Sequence, residues 1–327
     1  MDKNKAKKQA IGAAALIAIV LLIPLFFASE PYRLSIMIFI LINVVFAVSM
    51  RLIMTTEQIT LGHAAFGAIG GYTSAMLATR LEWSFWITLP LAALVAVFFS
   101  LLIGYMTLKL KGGYFAILTF ALSEVIRYVF QTFRGTFGGS FGIVDIPPPN
   151  AIPVPGLLEI SFDTRISSYY LIAVFAILAV GFMYRIEKSR YGLILKSIGE
   201  ADVLTEHTGV NILNYKVLAF TIGSTMAAMA GVFQTHYMGL ITPLSFTFHQ
   251  TVEYLIFVVI GGTGYFMGPI LGAFILTALP EILKPLREYE PIIYAMVLLI
   301  GVLYVPEGLM GLPKKIFKRS AKGQKGQ

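Results

Sequence analysis

Ionisable side chains are scarce inside the apolar segments of this chain, so each one is a candidate for function. Glu124 and Arg127 stand three positions apart and would form an ion pair on one helix. Glu253 has no evident local partner of opposite charge. Because a charge at membrane depth is costly and usually functional, Glu124 and Glu253 are candidates for a translocation path. The alternatives are simple pairing for Glu124 and a position at the membrane interface for Glu253.

Catalytic and metal chemistry has no visible site in the sequence. The four histidines, His63, His207, His236 and His249, lack the i, i+4 spacing and the partner carboxylates of a metal site. The chain contains no cysteine, which excludes disulfides, thiolate catalysis and cysteine-based zinc or iron–sulfur sites. No segment matches the phosphate-binding pattern G-x-x-x-x-G-K-[ST], so we expect neither ATP hydrolysis nor a cofactor in this chain. His63, in a segment rich in glycine and alanine, is kept as a candidate for the path.

A glycine cluster interrupts the apolar sequence near residue 264. Residues 261–264 read Gly-Gly-Thr-Gly and are followed by Gly268 and Pro269, a combination that breaks a helix at membrane depth. Backbone polar groups freed by such a break must be buried in protein or face a cavity. We therefore expect this break to lie beside the translocation path, with the candidate residues Gly261, Gly262, Gly264, Gly268 and Pro269. Two other glycine faces, Gly67-Gly71-Ala75 and Gly223-Ala227-Gly231, are expected to serve helix packing.

A short amphipathic helix is predicted in the basic segment that follows residue 185. Residues 197–200 read Ser-Ile-Gly-Glu and fit a capping box, and Gly209 supplies the end of the helix. The apolar stripe at helical spacing consists of Ile198, Ala201, Leu204 and Thr208. A helix of about 12 residues is marginal alone, so the stripe needs a partner surface, either lipid or a second protein.

The composition indicates an all-α, polytopic integral membrane protein. Of 327 residues, 57% are hydrophobic and 13% are charged, against about 25% charged in ordinary soluble domains. Several uncharged apolar runs reach about 18 residues, enough to cross a bilayer. Basic residues are concentrated in both tails and in one loop, which is the pattern of cytoplasmic segments and not of a nucleic-acid-binding surface.

About ten transmembrane or re-entrant helices are predicted, with both termini in the cytoplasm. They lie at 11–28, 34–54, 61–79, 84–108, 114–133, 168–186, 216–238, 249–264, 268–283 and 291–306. Basic tails at 1–10 and 307–327 flank a single membrane domain at 11–306. Residues 249–283 form either two short spans or a re-entrant pair, since the second helix would reach only about 24 Å across a core of about 30 Å. The first run is long for a signal-peptide core and is expected to stay as a span.

Two loops between the predicted spans are candidates for contact with other proteins. Residues 134–167 are rich in proline and form a long external loop, either a docking surface or a plain connector. Residues 186–215 form a basic cytoplasmic loop that contains the predicted amphipathic helix.

Six ordered motifs resemble those of the LivM-type permeases of the branched-chain amino acid ABC-importer family, and the resemblance covers most of the chain. The motifs are ITLGHAAF at 59–66 with GGYT at 70–73, KGGYFAILT at 111–119 with EVIR at 124–127, GGS at 138–140, SRYG at 189–192, IGGTG at 260–264 with GP at 268–269 and GA at 272–273, and PEGL at 306–309.

This resemblance implies a multi-pass permease subunit in the cytoplasmic (inner) membrane of a prokaryote, and not an enzyme. The implied partners are a second homologous permease subunit, two cytoplasmic ATPase subunits that use the ATP, an external substrate-binding protein and the lipid bilayer. No nucleic-acid partner is implied. The cytoplasmic loop then corresponds to the coupling motif of the family, and the implied ATPase-coupling residues are Glu200, Ala201, Leu204, Glu206 and Gly209.

Several alternatives stay open at this stage. Importers of urea, short amides or nucleosides have permeases of similar appearance, so the substrate is not determined. A self-contained secondary transporter and a channel are the competing classes. A proton- or sodium-coupled transporter requires carboxylates near the midplane, for which Glu124 and Glu253 are the candidates. A membrane enzyme ranks last because no catalytic cluster is visible.

Overall fold

The computed structural model describes residues 17–18, 20–24, 26–27, 30–110, 112–152, 159–304 and 308–311, and most of these are helical. The α-helices are α1 (Pro31–Met54), α2 (His63–Arg80), α3 (Phe85–Thr107), α4 (Gly113–Thr132), α5 (Arg134–Phe137), α6 (Arg165–Lys188), α7 (Arg190–Glu200), α8 (Asp202–His207), α9 (Ile212–Met238), α10 (Phe248–Gly261), α11 (Gly268–Leu283) and α12 (Glu290–Tyr304). Short 3-10 helices lie at Gly139–Phe141, Pro243–Phe246, Lys284–Tyr289 and Leu309–Gly311. The described part of the chain has isolated β-bridges but no β-strand.

Each span predicted from residue 34 onward coincides with a described helix to within a few residues. Within the described chain, 7 helical segments are long and apolar enough to cross a membrane: α1, α3, α4, α6, α9, the segment Pro243–Gly261 and the segment Gly268–Leu286. The multi-pass, all-α class is therefore confirmed, whereas the number of ten and the position of both termini stay predictions. Half of the first predicted span, 11–28, lies outside the described residues, as do the whole tail at 1–10 and most of 307–327.

The contact between α2 and α9 forms the centre of the bundle. A Cβ added to Gly70 would lie 2.2 Å from the backbone oxygen of Ala228, and one added to Gly231 would lie 2.1 Å from that of Gly67. The two helix backbones therefore touch, which confirms the predicted packing role of these glycine faces. Most of α2 is buried by other helices. The low hydropathy of α2 agrees with this position, because α2 contacts other helices instead of lipid.

Helix α3 places small residues toward the bundle and large residues outward. Its buried positions recur about every fourth residue and include Thr88, Ala92, Ala96, Ser100 and Gly104. The opposite face exposes large apolar side chains, among them Leu94, Phe98 and Leu102. Small residues let helices approach closely, while apolar residues on the outside suit contact with lipid.

The first part of the predicted external loop is fastened to the ends of three helices. His236 of α9 donates from Nδ1 to the carbonyl of Pro147 at 2.7 Å, and its Nε2 lies 2.7 Å from the hydroxyl of Ser74 in α2. The amide of Phe85 in α3 donates to Oδ1 of Asn150 at 2.8 Å. A β-bridge joins Ile143 and Ile241. Residues 143–150 of this loop are thus packed against the helical bundle.

Single cysteines should report the orientation of the chain, which contains no native cysteine. We expect Asp163→Cys and Thr208→Cys, both at exposed positions, to react with a membrane-impermeant maleimide from opposite sides of the membrane. The reason is the excess of Lys and Arg around residues 185–216, which favours the cytoplasmic side. Labelling of intact cells and of inverted vesicles would measure this, and reaction of both positions from one side would contradict the threading.

Candidate functional site

A buried ion-pair cluster joins the end of α1 to the end of α6 and to α7. The guanidinium of Arg51 binds both carboxylate oxygens of Glu187, and the Nζ atom of Lys196 lies 2.9 Å from Oε1 of the same carboxylate. Only 5% of Arg51 and 8% of Glu187 are exposed. Charges at this depth are retained only when paired, so the cluster fixes the relative positions of these three helices.

The same arginine holds the glycine-rich turn between α10 and α11. Nε of Arg51 donates to the backbone oxygen of Thr263 at 3.1 Å, and the guanidinium carbon lies 5.7 Å from the centre of the Phe266 ring. A carbonyl in this turn therefore has a charged hydrogen-bond donor. Sequence reasoning missed the cluster because Glu187 and Thr263 lie 136 and 212 positions from Arg51, beyond any helical spacing.

The predicted helix break is confirmed, and its glycines bring two helices into backbone contact. Helix α10 ends at Gly261, and α11 begins at Gly268 with Pro269 in its first turn. A Cβ on Gly261 would lie 1.9 Å from the oxygen of Gly268, and one on Gly272 would lie 2.0 Å from the oxygen of Phe257. These contacts describe an antiparallel helical hairpin.

Not every glycine of the predicted face takes part in this contact. Gly264 is exposed, and a Cβ there would meet no atom within 4 Å. Gly262 has φ of +112°, a backbone conformation that favours glycine, and a Cβ on Gly308 would lie 2.1 Å from its Cα. The turn is thus covered from the C-terminal side by residues 308–311. The two alternatives for this hairpin, two short spans and a re-entrant pair, stay predictions.

The amphipathic helix in the cytoplasmic loop begins earlier than predicted. Helix α7 is capped by Ser189, whose hydroxyl accepts a hydrogen bond from the amide of Gly192 at 3.4 Å. Ser197, the predicted cap, lies inside α7, and its hydroxyl donates to the carbonyl of Leu193 at 3.1 Å. The backbone breaks at Ala201, and the short helix α8 follows. The prediction of one helix over 197–209 was wrong, because a Ser-x-x-Glu pattern also fits a helix interior when an earlier serine provides the cap.

The predicted apolar stripe is divided between the two helices. Ile198 is buried, and a Cβ on Gly199 would lie 2.3 Å from the backbone oxygen of Thr55, so α7 packs tightly on the end of α1. This contact explains a glycine in a helix interior. In α8 the apolar side chains of Val203 and Leu204 are 59% and 68% exposed. All of the predicted coupling residues are exposed, namely Glu200, Ala201, Leu204, Glu206 and Gly209.

Gly209 follows α8 and ends this helical segment. Its φ is +85°, in the left-handed region, and a Cβ at this position would meet no neighbouring atom. A substitution here would therefore strain the backbone without creating a steric clash.

The predicted path residues fall in separate places. His63 is fully buried, with Nε2 2.9 Å from the hydroxyl of Ser49 and its ring edge-on to Phe46 and Tyr254. Glu124 pairs with Arg127 at 2.8 Å, which confirms the local pairing. Glu253 lines a cavity of about 370 Å³ near the start of α10. The glycine turn lies at the other end of that helix, so these residues do not form one site.

A multi-pass helical bundle with a glycine-rich break between two apolar helices, and with a cavity lined by polar and apolar side chains, is typical of a membrane transport protein. The sequence model of the family described as "Branched-chain amino acid transport system / permease component" matches residues 10–305, and the chain belongs to that family.

Curated relatives agree with this assignment. The chain is 28% identical over 286 residues to the high-affinity branched-chain amino acid transport permease LivM of Salmonella typhimurium. This alignment covers 82% of this chain and 67% of the relative. It is 28% identical over 157 residues to LivH of Escherichia coli, covering 47% and 50% of the two chains. The ribose import permease RbsC of Escherichia coli is 24% identical over 80% of this chain and 81% of its own length. No solved structure matches the chain.

Breaking the buried ion pair should destabilise the protein. We expect Arg51→Met or Glu187→Met alone to lower the free energy of unfolding by about 3–5 kcal/mol, because the remaining charge is left buried without its main partner. The double variant should lose less than either single variant. Unfolding of the purified chain in detergent measures this, with Lys196→Met, whose side chain is 43% exposed, as a milder control. A double variant less stable than both single variants would contradict the pairing argument.

Proposed function

We propose that this chain is the transmembrane subunit of an ATP-driven importer of branched-chain amino acids. The similarity to LivM over 82% of the chain carries this proposal. The similarity to LivH supports a second, homologous permease subunit as the partner in the membrane. Two cytoplasmic ATPase subunits would supply the ATP hydrolysis, and an external binding protein would deliver the substrate. The location is then the cytoplasmic (inner) membrane of a prokaryote.

Energy reaches the membrane helices through α7 and α8 in this proposal. Val203 and Leu204 form an exposed apolar surface on α8 that seats on the ATPase. Helix α7 is tied to the end of α1 at Gly199 and, through Lys196, to the buried carboxylate of Glu187. A movement of α7 on nucleotide binding therefore moves the ends of α1 and α6 and the turn between α10 and α11.

The external binding protein docks on the opposite face in this proposal. The loop at 134–152 is held against α2, α3 and α9 and so presents a fixed surface. Phe141 and Val144 in this loop and Leu244 beside it are 88%, 57% and 69% exposed. Apolar side chains on a held loop are suited to contact with a second protein.

Reconstitution tests the proposed function directly. Proteoliposomes that contain the chain with its partner subunits, binding protein and ATP should concentrate leucine, isoleucine and valine. The chain alone, under a proton or sodium gradient, should not. Accumulation by the chain alone would establish a secondary transporter. Uptake by the full complex of ribose, urea, an amide or a nucleoside in place of leucine would assign a different substrate.

The ATPase contact is tested by Leu204→Asp. Because Leu204 is 68% exposed, we expect normal abundance in the membrane but at least about tenfold weaker association of the ATPase subunits, the size of effect that hot-spot residues show. Gly209→Val should also reduce coupling, since valine disfavours positive φ. Co-purification of the ATPase and binding-protein-stimulated hydrolysis measure this.

A matched control is Leu244→Asp, since Leu244 is 69% exposed and lies on the predicted external side. This variant should keep full ATPase association. Unchanged ATPase association and stimulated hydrolysis in both Leu204→Asp and Gly209→Val would remove the coupling role from α8.

A further inference from the structure

The cavity near the start of α10 is large enough for a small solute. Its volume is about 370 Å³, within the range of about 300–1,000 Å³ typical of small-molecule sites. Helices α1, α9, α10 and α11 form its walls. Apolar side chains from α1 and α9, namely Ile36, Phe39 and Met238, face the same space as the amides of Gln234 and Gln250. The cavity is therefore built for a ligand with both apolar and polar parts.

Glu253 is the exceptional group in this cavity. Within the described residues, its carboxylate forms no ion pair and no hydrogen bond, and the imidazole of His249, one turn earlier on α10, is a titratable side chain that interacts with it electrostatically. Among the carboxylates that the structure describes in these helices, three others are paired: Glu187 with Arg51, Glu124 with Arg127, and Glu281 with Lys284 at 3.1 Å. A charge at membrane depth is costly unless it has a partner, so an unpaired carboxylate that lines a cavity points to a cation supplied by a ligand.

The remaining polar groups of the cavity carry no positive charge: they are three amides, three hydroxyls and the carboxylate of Glu281, which pairs with Lys284. Gln234 has a buried Oε1 atom without a hydrogen-bond partner. Asn43 donates from Nδ2 to the hydroxyl of Thr277 at 3.0 Å, which leaves its own oxygen to accept. Among the described residues that line the cavity there is no Lys or Arg. A primary ammonium, with three donors and one positive charge, matches this set of acceptors.

We propose that this cavity binds the primary ammonium group of an apolar amino acid through the carboxylate of Glu253, with the amides of Gln234 and Gln250 available to its carboxylate. The inference rests on the proposed function, because it names the chemical group by which the permease recognises that substrate. Ile36, Phe39 and Met238 would contact the apolar side chain. A neutral sugar has no cation to offer Glu253, so the site favours an amino acid over such a substrate.

Protection of a cysteine in the cavity tests this without transport. In the full importer, assembled in membranes without ATP, we place Ser245→Cys, which lines the cavity but is assigned no contact with the ligand, in the otherwise cysteine-free chain and measure its rate of maleimide labelling. L-leucine and 3-methylbutylamine, which carry the ammonium, should slow labelling, and 4-methylpentanoate, which lacks it, should not. Adding Glu253→Gln should raise the leucine concentration needed for protection at least about tenfold, because hydrogen bonds to charged groups are the strong ones.

Glu30→Gln is the control, since Glu30 is an exposed carboxylate paired with Arg33 and does not line the cavity. It should leave protection unchanged. Glu253→Gln should keep normal abundance, because it removes a charge that has no partner. Equal protection by 4-methylpentanoate, full leucine protection in Glu253→Gln, protection by sodium ions in place of leucine, or no protection by any compound would each overturn the inference.

Leucine uptake by the unmodified complex separates this inference from the proposed function. Uptake without protection means that the cavity is not the site, although the chain imports amino acids. Protection without uptake by the assembled importer means that the cavity binds an ammonium group, although the proposed transport activity is wrong.

Discussion

The buried pair between Arg51 and Glu187 is the interaction on which the arrangement of the helix ends depends. Removing two such charges from water is expensive, and their attraction repays the cost only when the remaining hydrogen-bonding positions are also filled. Lys196 and the carbonyl of Thr263 fill them here. The pair therefore fixes one relative position of α1, α6, α7 and the glycine turn, whatever its net contribution to stability.

Helix α1 carries this constraint toward the cavity. Arg51 lies at its end, and Phe46, more than one turn earlier, stacks on Tyr254 of α10 with ring centres 4.4 Å apart. Tyr254 lines the cavity next to Glu253. Helix α10 is thus held by α1 at the turn and near the cavity. In our proposal a shift that begins at α7 reaches the cavity through packed side chains, and no mobile linker is required.

Hydropathy located the helices well because span length and apolar character are local properties. The limits of α11 match the prediction, and the weakly apolar α2 was also predicted as a helix. The helix break was found because its glycines and proline act on their own backbone. Local patterns were less reliable in the basic loop, where Ser189 and not Ser197 caps the helix.

Contacts between distant segments could not be predicted in the same way. Nothing near Arg51 indicates Glu187, and the reason for Gly199 appears only when the carbonyl of Thr55 lies against it. The sequence singled out Glu253 as a charge without a local partner, but the cavity in front of it required the fold. The coupling and path residues named from the sequence stay predictions, since their positions are now known and their roles are not tested.

The central claim is that α7 and the turn between α10 and α11 move as one unit when the ATPase binds nucleotide. Spin-label distances among Ser197→Cys, Gly264→Cys and Met106→Cys, all at exposed positions, test it most directly in the assembled importer. The account predicts that the distance between 197 and 264 stays constant between the nucleotide-free and ATP-bound states, while both distances to 106 in α3 change. A change between 197 and 264 as large as the changes to 106 would contradict it.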